Sequence, residues 1–276
     1  MRAAQTHGRA GGLTILLLLM AVGRPAAFAG PHPAPKVAPI SITADVMDVD
    51  AQNGVVTATG RVRITDGRTT GTGGRATLYQ AQRRVVLREG AKVTGPQGTL
   101  QAAEVAVVYT TSAITRVTAR GAASLQGRAG RLSAPSIVVT PADETLVADG
   151  DVTFSTADVQ ATGRRLTYRW AQGIAILEGD ARVQNREGFV SGDRIEAREQ
   201  DQRATVTGSV WGRFRDIEVR SRTAEVFGTE KKAIFVGDVQ VVQPGRQMTT
   251  EKVTVWYGTR RVVAEGQTRV RLEGQP

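Results

Sequence analysis

Apolar and polar residues alternate in short runs along most of the chain, and each run is centred on a glycine. Leu146-Val147-Ala148-Asp149-Gly150-Asp151-Val152-Thr153-Phe154 is one such run. Ala175–Val183, Ala233–Val241, Val262–Gly266 and Val56–Ile64 repeat it. The central glycines are Gly60, Gly90, Gly121, Gly150, Gly179, Gly208, Gly237 and Gly266, and subtraction gives spacings of 30, 31, 29, 29, 29, 29 and 29 residues. A fixed period of about 20–50 residues marks a repeat architecture. Eight stacked units then form one body rather than separate domains.

The alternation assigns a face to each position. Four residues before the glycine lie Val56, Val86, Val117, Leu146, Ala175, Ala204, Ala233 and Val262. Two before it lie Ala58, Arg88, Ala119, Ala148, Leu177, Val206, Phe235 and Ala264. Val62, Ala123, Val152, Ala181, Val210 and Val239 follow at plus two, and Ile64, Leu125, Phe154, Val183, Val241 and Val270 at plus four. Side chains on a strand alternate between its faces, so these residues share one side. Next to the glycine the interleaved residues are mostly polar, among them Arg61, Glu89, Asp149, Asp151, Glu178, Asp180 and Asp238. The second unit departs: Arg88 stands in an apolar register and Val93 is out of phase, which points to a local shift there.

Each unit also has a leading strand-like run, from Ile42–Val49 to Lys252–Tyr257, followed by a polar turn. Asn53-Gly54 closes the first as a hairpin signal, the two-residue type that needs positive φ at both positions. Two strands per unit predict about sixteen strands, with no sustained helical pattern after Gly30. A glycine at the centre of a strand permits a sharp bend or a bulge. Repeated in register, it folds every strand at one level, giving two sheets that meet along a crease with the apolar face inside. Inward residues of Ala and Val size suit a slot of modest width.

The first residues belong to something else. Arg2 and Arg9 precede the apolar run Leu13–Val22, then come Arg24-Pro25 and Ala27-Phe28-Ala29. This is the layout of a secretory signal peptide, with cleavage expected between Ala29 and Gly30; the alternative is a retained anchor, although a spanning helix needs about 20 apolar residues. Residues 30–41 form a Pro-rich lead-in, and 42–273 a single repeat domain. The chain has no cysteine, which excludes disulfides and Cys-based metal sites. Net charge is +10; removing Arg2, Arg9 and Arg24 leaves 33 − 26 = +7. An exported basic protein has anionic partners such as phosphorylated lipids, membrane surfaces or polysaccharides, and nucleic acid is not expected in that compartment.

Catalysis finds little support. The only histidines are His7 and His32, both ahead of the repeats, so His-based metal sites and Ser-His or Cys-His nucleophiles are excluded from the body. Gly208-Ser209-Val210-Trp211-Gly212 has its serine in the wrong place for a nucleophile elbow. The pairs Asp149/Asp151 and Glu178/Asp180 have the residue types of a glycosidase or a calcium site, but they recur at the glycine as part of the scaffold. No cofactor or metal is expected. Arg83-Arg84, Arg164-Arg165 and Arg260-Arg261 read as solvated edge charge or as contacts for lipid phosphates and anionic sugars.

Ile42-x-Ala44-Asp45, then Val56-x-Ala58-x-Gly60-x-Val62-x-Ile64, and the recurrence of Ala-x-Gly-x-Val over 42–272 resemble the OstA-like (LptA) family of periplasmic lipopolysaccharide-transport proteins. The resemblance implies an all-β, elongated, V-shaped antiparallel β-jellyroll of about eight 29-residue repeats, open at its ends, with no enzymatic activity. It also implies a periplasmic transenvelope bridge carrying lipopolysaccharide from inner to outer membrane. The lipid A acyl chains would lie in an apolar groove lined by Val56, Ala58, Val62, Ile64, Val86, Val117, Leu125, Leu146, Val152, Phe154, Leu177, Val183, Val206, Val210, Phe235, Val239, Val241, Val262 and Val270. Inner-membrane transporter components and the outer-membrane assembly barrel would be partners through edge strands, with head-to-tail self-association a further expectation. If the N-terminal segment is retained, the transporter-associated, LptC-like member of the family is the alternative. A large C-terminal barrel, as in the outer-membrane member, has no room here. Periodicity alone leaves open a structural or adhesive β-solenoid with a closed core, or a polysaccharide-active enzyme on a parallel β-helix.

Overall fold

The computed structural model describes residues 41–272 except Ser112; the expected signal peptide, almost all of the Pro-rich lead-in and the last residue of the expected repeat domain lie outside them. Among the described residues eighteen strands form one antiparallel sheet. They are β1 Ser41–Thr43, β2 Val46–Asp50, β3 Val55–Thr65, β4 Thr70–Tyr79, β5 Arg84–Gly95, β6 Gly98–Tyr109, β7 Ile114–Gly127, β8 Arg131–Thr140, β9 Thr145–Ser155, β10 Gln160–Arg169, β11 Ile174–Asn185, β12 Gly188–Arg198, β13 Arg203–Phe214, β14 Ile217–Phe227, β15 Lys232–Gln243, β16 Arg246–Trp256, β17 Arg261–Glu265 and β18 Arg269–Leu272.

From β3 to β16 each strand pairs with the next. At the ends, β1 and β2 both pair with β3, and β17 and β18 both pair with β16. Each end pair is one expected strand broken at the crease, so the count of sixteen holds with the two outermost strands split.

The crease is built by the central glycines. All eight have positive φ, from 75° to 93°, and the residue beside each is positive as well in every unit but the last. Each glycine strand carries one more residue than its neighbour across this point: Thr59 to Val62 faces Arg75 to Gly73. This is a bulge, which bends the strand and raises its twist. Repeated along one line, it folds the sheet over into two arms.

The second unit differs in the way its sequence suggested. There the positive φ values fall on Glu89 and Gly90 rather than on the glycine and its successor. Leu87 and Ala91 therefore face inward, Val93 packs against the core, and Arg88 turns out to pair with Glu104 at 2.8 Å. Val86 is a correction. It sits in register with Thr77 and Ala106 on the outer face, one residue away from the inward line. It is buried there, in an outer row of small and β-branched residues that runs on through Thr118, Val138, Val147, Thr167 and Ile176. Such cross-strand neighbours support one another on a pleated surface.

The first hairpin is also a correction. Gly54 has positive φ but Asn53 does not, so the two-residue turn is not formed. Instead Asp50 Oδ1 accepts from the backbone N–H of Gln52 (3.1 Å) and Asn53 (3.0 Å), and closes a longer turn. The same left-handed position recurs at Arg83, Glu144, Gly173, Gln202, Lys231 and Arg260.

Candidate functional site

The interior between the arms is the candidate site. Ala58, Val62, Leu146, Val152, Phe154, Leu177, Val183, Val206, Val210, Phe235, Val239 and Val241 all join one buried cluster. Ile64, Val117, Leu125 and Val262 pack against it and are partly buried. Val56 is partly buried, and Val270 is 54% exposed at the terminal edge. Val86 alone of the expected lining residues faces the other way.

Half of the wall was not anticipated. It comes from the leading strands, where the inward set runs in steps of two, three and two: Leu100, Ala102, Val105, Val107 on β6, and Leu132, Ala134, Ile137, Val139 on β8. These strands lack the extra residue, so their alternation changes parity at the crease. The skipped step is visible in the sequence as apolar residues at i, i+2, i+5 and i+7.

The interior is not uniform along its length. Up to Leu146 no aromatic side chain enters the core, and Val107, Val117, Leu125 and Val139 near the mouth are only partly buried. From Phe154 onward aromatics fill it: Phe154, Tyr168, Trp170, Phe214, Phe235 and Tyr257 are all buried. Phe214, beside the turn at one rim, stacks on Tyr257, beside a turn at the other rim, with centroids 5.3 Å apart and planes 13° apart. Phe235 meets Phe214 edge-on at 6.2 Å. The Tyr257 hydroxyl donates to the Phe227 carbonyl at 3.1 Å. Burial, and secondarily the Glu187 carboxylate, push its pKa far above that of a free phenol.

Across the crease the arms also touch. A Cβ at Gly71 would come within 2.8 Å of Leu87 Cδ1, and one at Gly212 within 2.8 Å of the tip of Phe235. Large side chains of one arm thus occupy places the other arm leaves to glycine. At both ends of the sheet the apolar face opens, with Met47 48%, Val49 62%, Val270 54% and Leu272 73% exposed.

The outer face holds the acids. Asp149 pairs with Arg165 at 3.1 Å, Glu178 with Arg194 at 2.7 Å, and Asp180 with Arg164 at 2.6 Å. Glu196 accepts from Arg194 and Arg198, which together hold its carboxyl below the usual range. The first three are cross-strand ion pairs beside the crease, and those of Glu196 lie along β12. Among the described residues no three His, Cys, Asp or Glu side chains are grouped to hold a metal ion. None of their helices is long and apolar enough to cross a membrane, which says nothing about spanning strands.

Residues 41–203, more than half of the chain, match the family model described as LptA/(LptD N-terminal domain) LPS transport protein. The chain belongs to this family. No curated protein matches it by sequence. Among solved structures, it is similar to the crystal structure of LptH, the LptA homologous periplasmic component of the conserved lipopolysaccharide transport device from Pseudomonas aeruginosa. Identity is 13%, over 88% of this chain and 100% of that one, with a TM-score of 0.19. At that score the overlay carries no weight here. Membership of the LptA/LptD N-terminal family rests on the sequence match, and the antiparallel architecture rests on the strand register.

Proposed function

We propose that this member of the LPS-transport family is a periplasmic carrier that passes lipopolysaccharide from inner to outer membrane with its acyl chains between the arms. The supporting observation is a single apolar interior, contributed by every repeat and exposed at both ends of the sheet. Similar units stacked in one line offer many near-equivalent sites, which suits a cargo handed on rather than held. Burial of an acyl chain contributes about 25 cal/mol per Å² of apolar surface removed from water. No covalent chemistry is involved. Exposed Val46, Met47 and Val49 on β2, and Val270 and Leu272 on β18, lie on strands paired on one side only, β2 with β3 and β18 with β16. Such edges template strand addition, to inner-membrane transporter components, to the outer-membrane assembly barrel, or head-to-tail to a second copy.

One observation favours a second reading, a structural β protein with a filled core. Leu87 fills the space at Gly71 and Phe235 that at Gly212, and the Phe214–Tyr257 stack closes the mouth. Under the carrier reading these arms part, or their side chains rotate, when lipid enters.

Photocrosslinking to lipopolysaccharide separates the two. A photoreactive residue at Val117, Val152 or Val210 crosslinks if lipid enters the interior, while the exposed Asp151 on the outer face does not. In folded protein, absence of crosslinks from all three valines would establish the filled core.

A further inference from the structure

The outer face of one arm carries two large aromatic side chains in one unit alone, Phe189 buried and Trp211 partly buried. Phe189 on β12 and Trp211 on β13 each stand one residue away from inward Val190, Val210 and Gly212. In the other units the place of Trp211 is taken by Arg63, Ser124, Thr153, Arg182, Gln240 or Arg269, and that of Phe189 by residues such as Thr70, Thr99, Arg131 and Gln160. The scaffold therefore does not require aromatics here.

Their rings meet edge to face, with centroids 4.7 Å apart and planes at 85°. The Arg182 guanidinium lies 3.5 Å over the Phe189 ring, and that of Arg220 lies 5.8 Å over Trp211. The four side chains span β11 to β14 as one strip. A cavity of about 340 Å³ flanks the Phe189 side, with Arg182, Arg186, Arg213, Arg215 and Glu187 in its wall. A second, of about 240 Å³, flanks the Trp211 side between Ser209, Arg220 and Ser221.

The polar groups of this strip are incompletely paired. Arg186 has Asp158 at 3.6 Å and Arg213 has Glu218 at 3.6 Å. Among the described residues no carboxylate lies within salt-bridge distance of Arg182, Arg215 or Arg220. The Trp211 indole N–H and one Glu187 carboxylate oxygen are buried with no hydrogen-bond partner. Buried polar atoms of this kind ordinarily have one.

This combination selects among ligands. Arg182 Nε donates to Gln184 Oε1 at 3.2 Å, whereas the Arg220 guanidinium, with no carboxylate in reach, calls for an anionic group. The part of the Trp211 side chain that lines the second cavity accepts the C–H side of a sugar ring. Perpendicular rings offer no parallel slot for a planar base. We propose that the Phe189–Trp211 strip binds an anionic saccharide, a sugar unit bearing phosphate or carboxylate, with the ring against Trp211 and the anionic group on Arg220, in the cavity that these two side chains share. This site is on the outside of the arm and does not depend on what the interior carries.

The test uses the indole N–H signals of Trp170, Trp211 and Trp256 in the ¹⁵N-labelled full chain, with Trp211→Phe for assignment. Glucose 6-phosphate is expected to move the Trp211 signal saturably and to leave Trp170 unmoved. Glucose alone and inorganic phosphate alone are expected to move it much less. Arg220→Gln, which removes one charge-assisted contact, weakens the response about tenfold. No movement of Trp211, or an equal movement with inorganic phosphate alone, overturns the proposal. Deacylated lipopolysaccharide and an acidic polysaccharide such as a polyuronate then distinguish the source. Response to either upholds the site. Response only to acylated lipopolysaccharide, or only to anionic vesicles, overturns it in favour of the interior or a membrane surface.

Discussion

Replacing Gly208 by alanine tests whether the crease glycines are required by space as well as by backbone conformation. Gly208 has φ +75°, and an added Cβ would lie 2.7 Å from the Cβ of Asp193 on the neighbouring strand. The carboxylate end of Asp193 is free to swing away, but its Cβ is fixed by the backbone. Gly90 provides the control: its φ is +77°, yet a Cβ there would meet nothing within 4 Å. Gly90→Ala therefore costs only left-handed strain, about 1–2 kcal/mol. Gly208→Ala bears that strain and adds about 1–3 kcal/mol of overpacking. In a body of this size each kcal/mol lowers the thermal midpoint by about 2–4 °C. The control is expected to fall by about 2–8 °C and Gly208→Ala by clearly more, read by far-ultraviolet circular dichroism of the β signal. Asp193→Gly in the Gly208→Ala background removes the collision, and the double-mutant cycle is expected to return about 1–3 kcal/mol of coupling. Equal losses at Gly90 and Gly208, or no coupling with Asp193, would refute the spatial part of the argument.

Phe235→Ala removes a fully buried ring set against Gly212, and a loss of about 3–5 kcal/mol in denaturant unfolding is expected. Phe214→Ala breaks the rim-to-rim stack on Tyr257; an apolar fluorescent probe should enter the interior faster and to greater extent than in the parent, and unchanged uptake counts against the mouth being closed there. Asp180→Asn removes an ion pair whose side chains are 74% and 78% exposed, so a thermal shift worth less than about 1 kcal/mol is expected, and a large loss would contradict its scaffold role. Arg194 and Arg198 hold the Glu196 carboxyl below its ordinary value of 4.5. Its contribution is present above the unfolded value and is lost as pH falls through the lower folded one. Glu196→Gln should therefore flatten part of the acid-side decline in a pH series of unfolding midpoints.

Much of the architecture is legible in the chain alone. The 29-residue spacing from Gly121 to Gly266 requires a repeat, and the plus and minus two and four positions place Ala148, Val152, Phe154 and their counterparts on one face. Even the displaced second unit is foreshadowed by Arg88 and Val93. Val86 was misassigned because the glycine alone does not say whether the bulge takes in the residue before it or the one after it. That choice moves the line by one residue, and on a strand one residue is the other face. The leading strands were left unresolved for a related reason, since their parity change is imposed by the bulge on the neighbouring strand.

What the sequence determines by itself is the set of apolar residues and their period, because alternation and glycine spacing are local properties of the backbone. What only the tertiary structure decides is how those residues meet. Leu87 rests on Gly71, Phe235 on Gly212, Phe214 on Tyr257, and Phe189 on Trp211 outside. Gly71 and Leu87 are 16 residues apart and Phe214 and Tyr257 are 43 apart, by subtraction. No local pattern encodes contacts at such separations; the first three follow from folding the sheet along its crease, which brings opposite arms within van der Waals reach, and the Phe189–Trp211 contact follows from the register of β12 on β13.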